Sequence, residues 1–271
     1  MFFRFYNQPG LYLSPAEQRA LRKELLEVGK ASLDPMPNYQ CLSSRPNALD
    51  DKLIVVAYID PENSGDKQQA HSQRAVAFTS AIYLDVPNVD HVVLHTGLTI
   101  AIPSLQRTGI LAQLFTQLFA NVVPLHPRGM WVTTLAAVLS SLVQSEKTLY
   151  KTHPCPPERR QKEKQSLKPL REHLHIARAI DERHRAKLLI SPAAVFDDEA
   201  FVFRESLDWD AAASFRKDVD DVKFHHRDNG ANQYFRGLMR AGKGDEVLLI
   251  GFFDGARMWE VLEQRLQKSK L

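Results

Sequence analysis

The chain has 271 residues, of which 44% are hydrophobic and 25% charged, and its formal net charge is +3. These values are typical of a globular protein with a large core. The small net charge does not favour a nucleic-acid partner, and no apolar run approaches the ~20 residues that cross a bilayer. The two cysteines, Cys41 and Cys155, give neither a disulfide framework nor a zinc spacing. We therefore expect a cytoplasmic protein without a metal site.

A helix and two strands are predicted before the centre of the chain. Ser14 and Glu17 form a capping box, with Pro15 at the first helical position, and predict a helix to about residue 30. Residues 31–50 contain three prolines and are predicted to be a loop. Residues 53–59 and 74–84 are predicted strands, and the alternation in the second favours half-burial. The polar stretch 62–73 is predicted to turn between them.

The stretch 92–119 combines a strand with a helix. Residues 92–102 are rich in Val, Leu, Ile and Thr, the composition of a buried strand, and Pro103 follows. Beyond it, apolar residues recur at three- and four-residue spacing and predict a helix. The turn between them contains Arg107 and Gly109. Free N–H groups at a helix N-terminus beside an arginine suit an anion, most often a phosphate.

This turn resembles a known loop. Residues 106–111, Gln-Arg-Thr-Gly-Ile-Leu, resemble the pyrophosphate loop of the GCN5-related N-acetyltransferase (GNAT) superfamily, Gln/Arg-x-x-Gly-x-Gly/Ala, although Leu111 replaces its last small residue. The resemblance implies a GNAT-like α/β fold: a mixed, mostly antiparallel central sheet flanked by helices, with a β-α-β-α core at 92–151. The alternative is an ordinary strand–turn–helix with a glycine in its first turn.

The resemblance also implies acetyl-CoA or another acyl-CoA as co-substrate. Main-chain groups of the turn would hold the pyrophosphate, and those of the preceding strand would contact the pantetheine arm. The residues concerned are Gln106, Arg107, Thr108, Gly109, Ile110 and Leu111 in the turn, and Thr96, Gly97, Leu98 and Thr99 in the strand.

Two residues are candidates for proton transfer. A strand at 130–135 and a helix at 137–151 are predicted next, in a right-handed parallel arrangement. Tyr150 matches the Leu-Tyr-x-Lys pattern of the family, which implies an acid that protonates the leaving thiolate. His95 shares a strand face with Gly97 and Thr99 and titrates near neutrality, so it is a candidate base. The alternatives are a core tyrosine that closes the helix and a packed histidine satisfied by a neighbouring strand.

The rest of the chain is predicted to complete a single domain, 1–271. Residues 153–190 form a basic helical insertion, either a clamp for a phosphorylated ligand or acidic partner or a solvated face. Strands at 200–206 and 247–253 and helices at 232–240 and 256–267 follow. This tail resembles divergent fungal GNAT-like proteins.

The sequence thus predicts an acyl-CoA-dependent, N-acetyltransferase-like enzyme acting on an amine of an unidentified small molecule or protein. A small-molecule acceptor, no membrane and a monomer or homodimer are expected. Two alternatives stay open. One is a non-catalytic binding or scaffold protein with the GNAT fold, and the other is an enzyme of natural-product biosynthesis that uses this fold for another reaction.

Overall fold

A computed structural model describes residues 1–33, 36, 38–59, 73–106, 108–207 and 218–255. These residues fall into two compact units. The first unit contains Met1–Tyr83 and Thr96–Val122, and the second contains Leu84–His95 together with the described residues from Val123 onward. The predicted turn at 62–72 and the predicted helix at 256–267 lie outside the described residues.

The first unit contains β1 (Phe2–Asn7), β2 (Lys52–Ile59), β3 (Arg74–Leu84) and the part of β4 (Val93–Ala101) that follows His95. The strands are ordered β1-β2-β3-β4. β1 pairs antiparallel with β2, which pairs antiparallel with β3. The strand β1 was not expected, because an aromatic hexapeptide at a terminus has no local strand signal beyond its composition.

Two helices cover apolar residues of the first unit. α1 (Pro15–Ser32) begins with the predicted capping box, in which the Glu17 carboxylate accepts a hydrogen bond from Ser14 N–H at 2.8 Å. Its residues Leu21, Leu25 and Val28 join a buried cluster with apolar residues of β2 and β4. α2 (Ile110–Val122) contacts β1 and β2.

The expectation that β3 is half-buried is wrong. Apart from Arg74 and Tyr83, its residues are buried. The polar residues that suggested an exposed face have internal partners instead: Thr79 contacts the Thr99 hydroxyl at 2.7 Å, and Ser80 donates to Gln40. A buried polar side chain with a hydrogen-bond partner costs little, so period-two polarity does not require a solvated face.

The second unit contains the first residues of β4 and the strands β5 (Met130–Ala136), β6 (Tyr150–His153), β7 (Val195–Asp197), β8 (Val202–Arg204) and β9 (Glu246–Phe253). β5 pairs antiparallel with β9 from Val247 to Phe253, and β6 and β8 pair antiparallel with the two ends of β9. Trp131 N–H donates to Val92 O at 2.9 Å, and His95 contacts Thr133. Val92, just before β4, and His95 follow one another along the chain in the same order as their partners, Trp131 and Thr133, along β5. The two strands are therefore parallel, as predicted.

The helices of the second unit are α3 (Leu139–Thr148), α4 (Pro157–Glu163), α5 (Arg171–Ala179), α6 (Arg185–Leu188) and α7 (Asn229–Leu238). A π-helical turn, Ile180–His184, joins α5 to α6. α3 contacts β5, β9 and α7, and α5 contacts β9. The predicted insertion therefore contains helices, as expected.

Two boundaries of the second unit were predicted wrongly. The helix α3 ends at Thr148 rather than at residue 151, because the chain then pairs with β9. The strand predicted at 200–206 is confined to Val202–Arg204, because Phe201 and Glu205 on either side have positive φ angles. Strand pairing and left-handed backbone conformations depend on tertiary contacts, and these override the structure that local periodicity predicts.

The predicted fold class is confirmed: an α/β protein with a mixed, mostly antiparallel sheet and flanking helices. The single-domain assignment of 1–271 stays a prediction. Within the described ranges, every helix is too short or too polar to span a bilayer.

Candidate functional site

The strand β4 presents the predicted pantetheine-binding residues in two environments. Thr96 and Leu98 are buried, whereas Gly97 and Thr99, on the opposite face, are half-buried. β4 is fixed in the first unit by the Thr79–Thr99 hydroxyl contact and by the bond from Ile102 N–H to Val76 O at 2.9 Å. The half-buried face at Gly97 and Thr99 is therefore the less enclosed side of this strand segment.

The predicted phosphate loop is a short 3-10 turn, Pro103–Leu105, followed by residues 106–109 and the N-terminus of α2. The Gln106 and Thr108 amides donate to Pro103 O and Leu105 O within the loop. Among the first four amides of α2, that of Gln113 donates to Gly109 O at 3.1 Å. The amides of the first turn have no carbonyl four residues earlier within the helix, which is the arrangement that suits an anion. Arg107 lies outside the described residues.

Gly109 gives the loop its conformation. Its φ is +86°, which is a left-handed conformation that favours glycine. A Cβ added there would meet no atom within 4 Å, so the space beside this residue is open. Ile110 is buried and anchors the first turn of the helix, while Leu111 is 40% exposed. These donors and this open space fit the pyrophosphate of a coenzyme A molecule.

The carboxamide of Gln40 lies across β4 at Gly97. Its Oε1 accepts hydrogen bonds from Leu98 N–H at 2.9 Å and from the Ser80 hydroxyl at 2.8 Å. Its Nε2 donates to the Tyr39 hydroxyl. One main-chain donor assigned from the sequence to the pantetheine arm is thus already bonded within the protein.

His95 is buried in the second unit, where its Nδ1 lies 2.9 Å from the Thr133 hydroxyl. Burial, and then the nearby His184, lower the pKa of His95 to about 3. His184 belongs to the π-helical turn and donates its Nε2–H to Asp85 O at 2.8 Å. At neutral pH His95 is therefore a neutral imidazole held by a neighbouring strand.

Tyr150 does not close a helix, as one alternative expected, but begins β6 opposite Phe252 of β9. It is half-buried, and the Lys151 ammonium lies 5.9 Å from the centre of its ring. The same strand carries His153, which stacks on His173 with ring centres 5.5 Å apart. Burial lowers the pKa of both histidines to about 4.

Comparison with known proteins found similar solved structures but no matching family model or curated protein. No protein-family model and no curated protein matches the sequence. An acetyltransferase from Vibrio fischeri is 10% identical, with a TM-score of 0.31 over 49% of this chain and 94% of that one. A GNAT family acetyltransferase from Staphylococcus aureus is 8% identical, with a TM-score of 0.29 over 46% and 79%. The NatC complex bound to Gag peptide and CoA is 13% identical, with a TM-score of 0.36 over 55% and 85%.

These three structures are only distantly similar to the chain. Since all three are less than 25% identical and have TM-scores below 0.5, the function of this chain is inferred from its own residues. Among the described residues, no group of three or more His, Cys, Asp and Glu side chains is arranged to hold a metal ion.

Sequence reasoning missed three polar residues, Gln40, Ser80 and His184. Gln40 reaches β4 from a loop 58 positions earlier in the chain, and His184 reaches Asp85 across 99 positions. No local pattern marks them, because a lone glutamine, serine or histidine becomes informative only when its distant partner is known. The positive φ of Gln40, +48°, is a structural signal of a constrained site and is invisible in the sequence.

Proposed function

We propose that this chain is an acyl-CoA-dependent acyltransferase of the N-acetyltransferase type, acting in the cytoplasm on an amine of a small molecule or protein. The observation that carries the proposal is the N-terminus of α2, where the amides of the first helical turn and Gly109 form a loop suited to a pyrophosphate. Acetyl-CoA or another acyl-CoA would supply the activated acyl group. Gly109, Ile110 and Leu111 would contact its phosphates through the main chain, whereas the amides of Gln106 and Thr108, also assigned from the sequence, already donate within the loop.

Acyl transfer from a thioester needs two proton movements. The amine nitrogen bonds to the acyl carbon as it loses a proton, and the carbon–sulfur bond breaks as the sulfur gains one. Tyr150 is the proposed donor to the sulfur, since its phenolic O–H is a hydrogen-bond donor. His95 is the relay proposed from the sequence for the proton of the amine, but burial lowers its pKa to about 3 and makes it a weak proton acceptor.

Thermal unfolding with and without acetyl-CoA tests the proposal. A ligand at 100 times its Kd adds about 2.7 kcal/mol to the stability of the folded state, so a clear rise in Tm is expected. Gly109→Val should weaken binding of both CoA and acetyl-CoA at least tenfold, because valine is strained at φ +86°. Calorimetric titration with each ligand measures the loss.

Gly242→Val is the matched control. Gly242 also has a positive φ, +66°, and also has open space where a Cβ would lie, but it belongs to the second unit. It should lose stability as Gly109→Val does and keep the affinity for CoA. If Gly109→Val bound CoA as tightly as the wild type does, the loop would not be part of the binding site. If no acyl-CoA raised the Tm, the proposed function would be contradicted.

One observation favours the second candidate, a non-catalytic binding or scaffold protein. The Leu98 N–H that the sequence assigns to the cofactor is bonded to Gln40. If Gln40 holds that position permanently, the strand presents a sealed surface to the pantetheine arm. Acetyl-CoA would then leave the Tm of the wild type unchanged.

A further inference from the structure

A pocket in the second unit is lined by the segments that precede the strands β4 and β5. These segments are residues 90–92 and 125–129, and the volume of the pocket is about 200 Å³. An engineered protein cavity of about 150 Å³ admits benzene, so this pocket has room for a molecule of the size of a single amino acid. In the chain, both segments lie outside the proposed phosphate loop, which follows β4.

Hydrogen bonds and one aromatic ring hold the two walls of this pocket in place. Trp131 N–H donates to Val92 O at 2.9 Å and so joins the first segment to β5. The His91 ring packs edge-on against Phe252, with ring centres 5.0 Å apart. A Cβ at Gly129 would lie 2.5 Å from an atom of the same phenyl ring, so glycine allows the second segment to approach it. The pocket is therefore formed without a ligand.

The pocket is lined by side chains of opposite charge that do not pair. Asp90 and Arg128 are both exposed, and neither forms an ion pair with any residue that the structure describes. An aspartate carboxylate accepts hydrogen bonds from an ammonium group, and an arginine donates two parallel bonds to a carboxylate. A ligand with both charges satisfies both residues, whereas a simple anion or cation is repelled by one of them.

Apolar side chains line the same pocket. Val92 and Leu125 are large hydrophobic residues that are 39% and 55% exposed. A ligand that covers them removes apolar surface from water, which favours binding. Burial lowers the pKa of His126, so this part of the lining adds no charge at neutral pH. The lining therefore matches a small molecule with an ammonium group, a carboxylate and an aliphatic side chain.

We propose that this pocket binds a free aliphatic amino acid. Asp90 contacts the ammonium group, Arg128 contacts the carboxylate, and Val92 and Leu125 contact the side chain. The binding is weak, because water and salt compete with exposed ion pairs. No covalent bond forms or breaks in this pocket, and the inference does not depend on the proposed acyl-CoA function.

Three probes test which charges the pocket requires. They are L-leucine, N-acetyl-L-leucine, which lacks the ammonium charge, and L-leucinamide, which lacks the carboxylate. Chemical-shift titration by NMR at low ionic strength, without CoA, measures each affinity. We expect L-leucine to bind the wild type about fivefold more tightly than either derivative does, which is the effect of one exposed ion pair.

Two variants identify the residue that meets each charge. Asp90→Asn should weaken L-leucine about fivefold by removing one ion pair, and should not weaken N-acetyl-L-leucine, which has no ammonium group to lose. Arg128→Met should weaken L-leucine by a similar factor and should not weaken L-leucinamide. Asp198→Asn is the matched control, because Asp198 is an exposed aspartate of the same unit that does not line the pocket. It should bind all three probes as the wild type does.

The apolar wall has a separate test. Leu125→Ser should weaken L-leucine, because less apolar surface is covered, and should leave glycine unchanged. Circular dichroism and the Tm establish that every variant is folded.

The outcomes separate this site from the proposed function. If L-leucine does not bind, if the three probes bind equally, or if Asp90→Asn and Arg128→Met match Asp198→Asn, the amino-acid site is overturned. Acetyl-CoA should raise the Tm of Asp90→Asn as much as that of the wild type. A failure of the pocket therefore leaves the acyl-CoA function standing, and a failure of acyl-CoA binding leaves the pocket standing.

Discussion

Single residues determine how this protein responds to pH. His95 is 1% exposed and pairs with the Thr133 hydroxyl, and burial lowers its pKa to about 3. In the unfolded chain a histidine titrates near 6.5. Between these values the unfolded state binds a proton that the folded state does not, so stability is present above pH 6.5 and is lost as the pH falls.

We expect His95→Asn to reduce the pH dependence of the free energy of unfolding. From pH 7 to pH 5, His95 should remove about 2 kcal/mol of stability from the wild type, because its folded pKa lies well below both pH values. Asparagine keeps a hydrogen-bonding side chain but does not titrate. All other groups titrate alike in the two proteins, so the difference between their pH 7 and pH 5 values isolates His95. Urea unfolding at each pH measures it.

Thr133→Val is the control for this comparison. It removes the hydroxyl beside Nδ1 and leaves the buried histidine in place, so it should lower stability at both pH values without flattening the difference. If the wild type and His95→Asn lost the same free energy of unfolding between pH 7 and pH 5, the burial argument would be contradicted.

At the scale of elements, Arg159 links the helix α4 to other parts of the second unit. Arg159 donates to the Glu146 carboxylate of α3 at 2.7 Å, to Glu163 at 2.9 Å and to Leu149 O. The Glu146 side chain is only 3% exposed, and burial raises its pKa even though Arg159 opposes the shift. Glu146 therefore depends on Arg159 as its partner.

Arg159→Met should destabilise the chain by about 3 kcal/mol, because breaking a buried pair leaves an uncompensated carboxylate. The double variant Arg159→Met/Glu146→Leu should recover most of that loss, since well-packed apolar residues often replace a buried pair without cost. Urea unfolding at pH 7 measures both. A double variant less stable than the single one would show that the pair itself stabilises α4.

An exposed pair provides the comparison. Arg236 donates to Asp220, whose side chain is 54% exposed. Surface pairs contribute little, since water already solvates both charges. Arg236→Met should therefore unfold close to the wild-type urea midpoint. A loss as large as that of Arg159→Met would mean that burial does not distinguish the two pairs.

Elements with strong local signals were predictable from the sequence. The capping box at Ser14 marks the start of α1, and the strand β3 has the predicted bounds, because each signal depends on neighbouring residues only. The strand β6 was not predictable, because Tyr150 leaves the helical pattern only to pair with Phe252, about a hundred residues later. The candidate site divides in the same way: the glycine turn is visible in the sequence, and Gln40 is not.

At the scale of the whole molecule, the burial of both thiols predicts how they react with a labelling reagent. Cys41 and Cys155 are the only cysteines, and both are free and buried. Burial raises the pKa of Cys41 to about 12 and also raises the pKa of Cys155, so neither is a reactive thiolate near neutral pH. A colorimetric disulfide reagent should label neither thiol in the native protein and both in denaturant. Rapid labelling of the native protein would contradict the burial of the thiol concerned.

The placement of these cysteines has a practical consequence. Cys41 belongs to the first compact unit and Cys155 to the second. Each unit therefore contains one buried thiol whose labelling reports on the opening of that unit. In each of the single variants Cys41→Ala and Cys155→Ala, the labelling rate of the remaining thiol measures how fast the unit that contains it opens. Equal rates would mean that the two units open in a single event, and unequal rates would rank them by local stability.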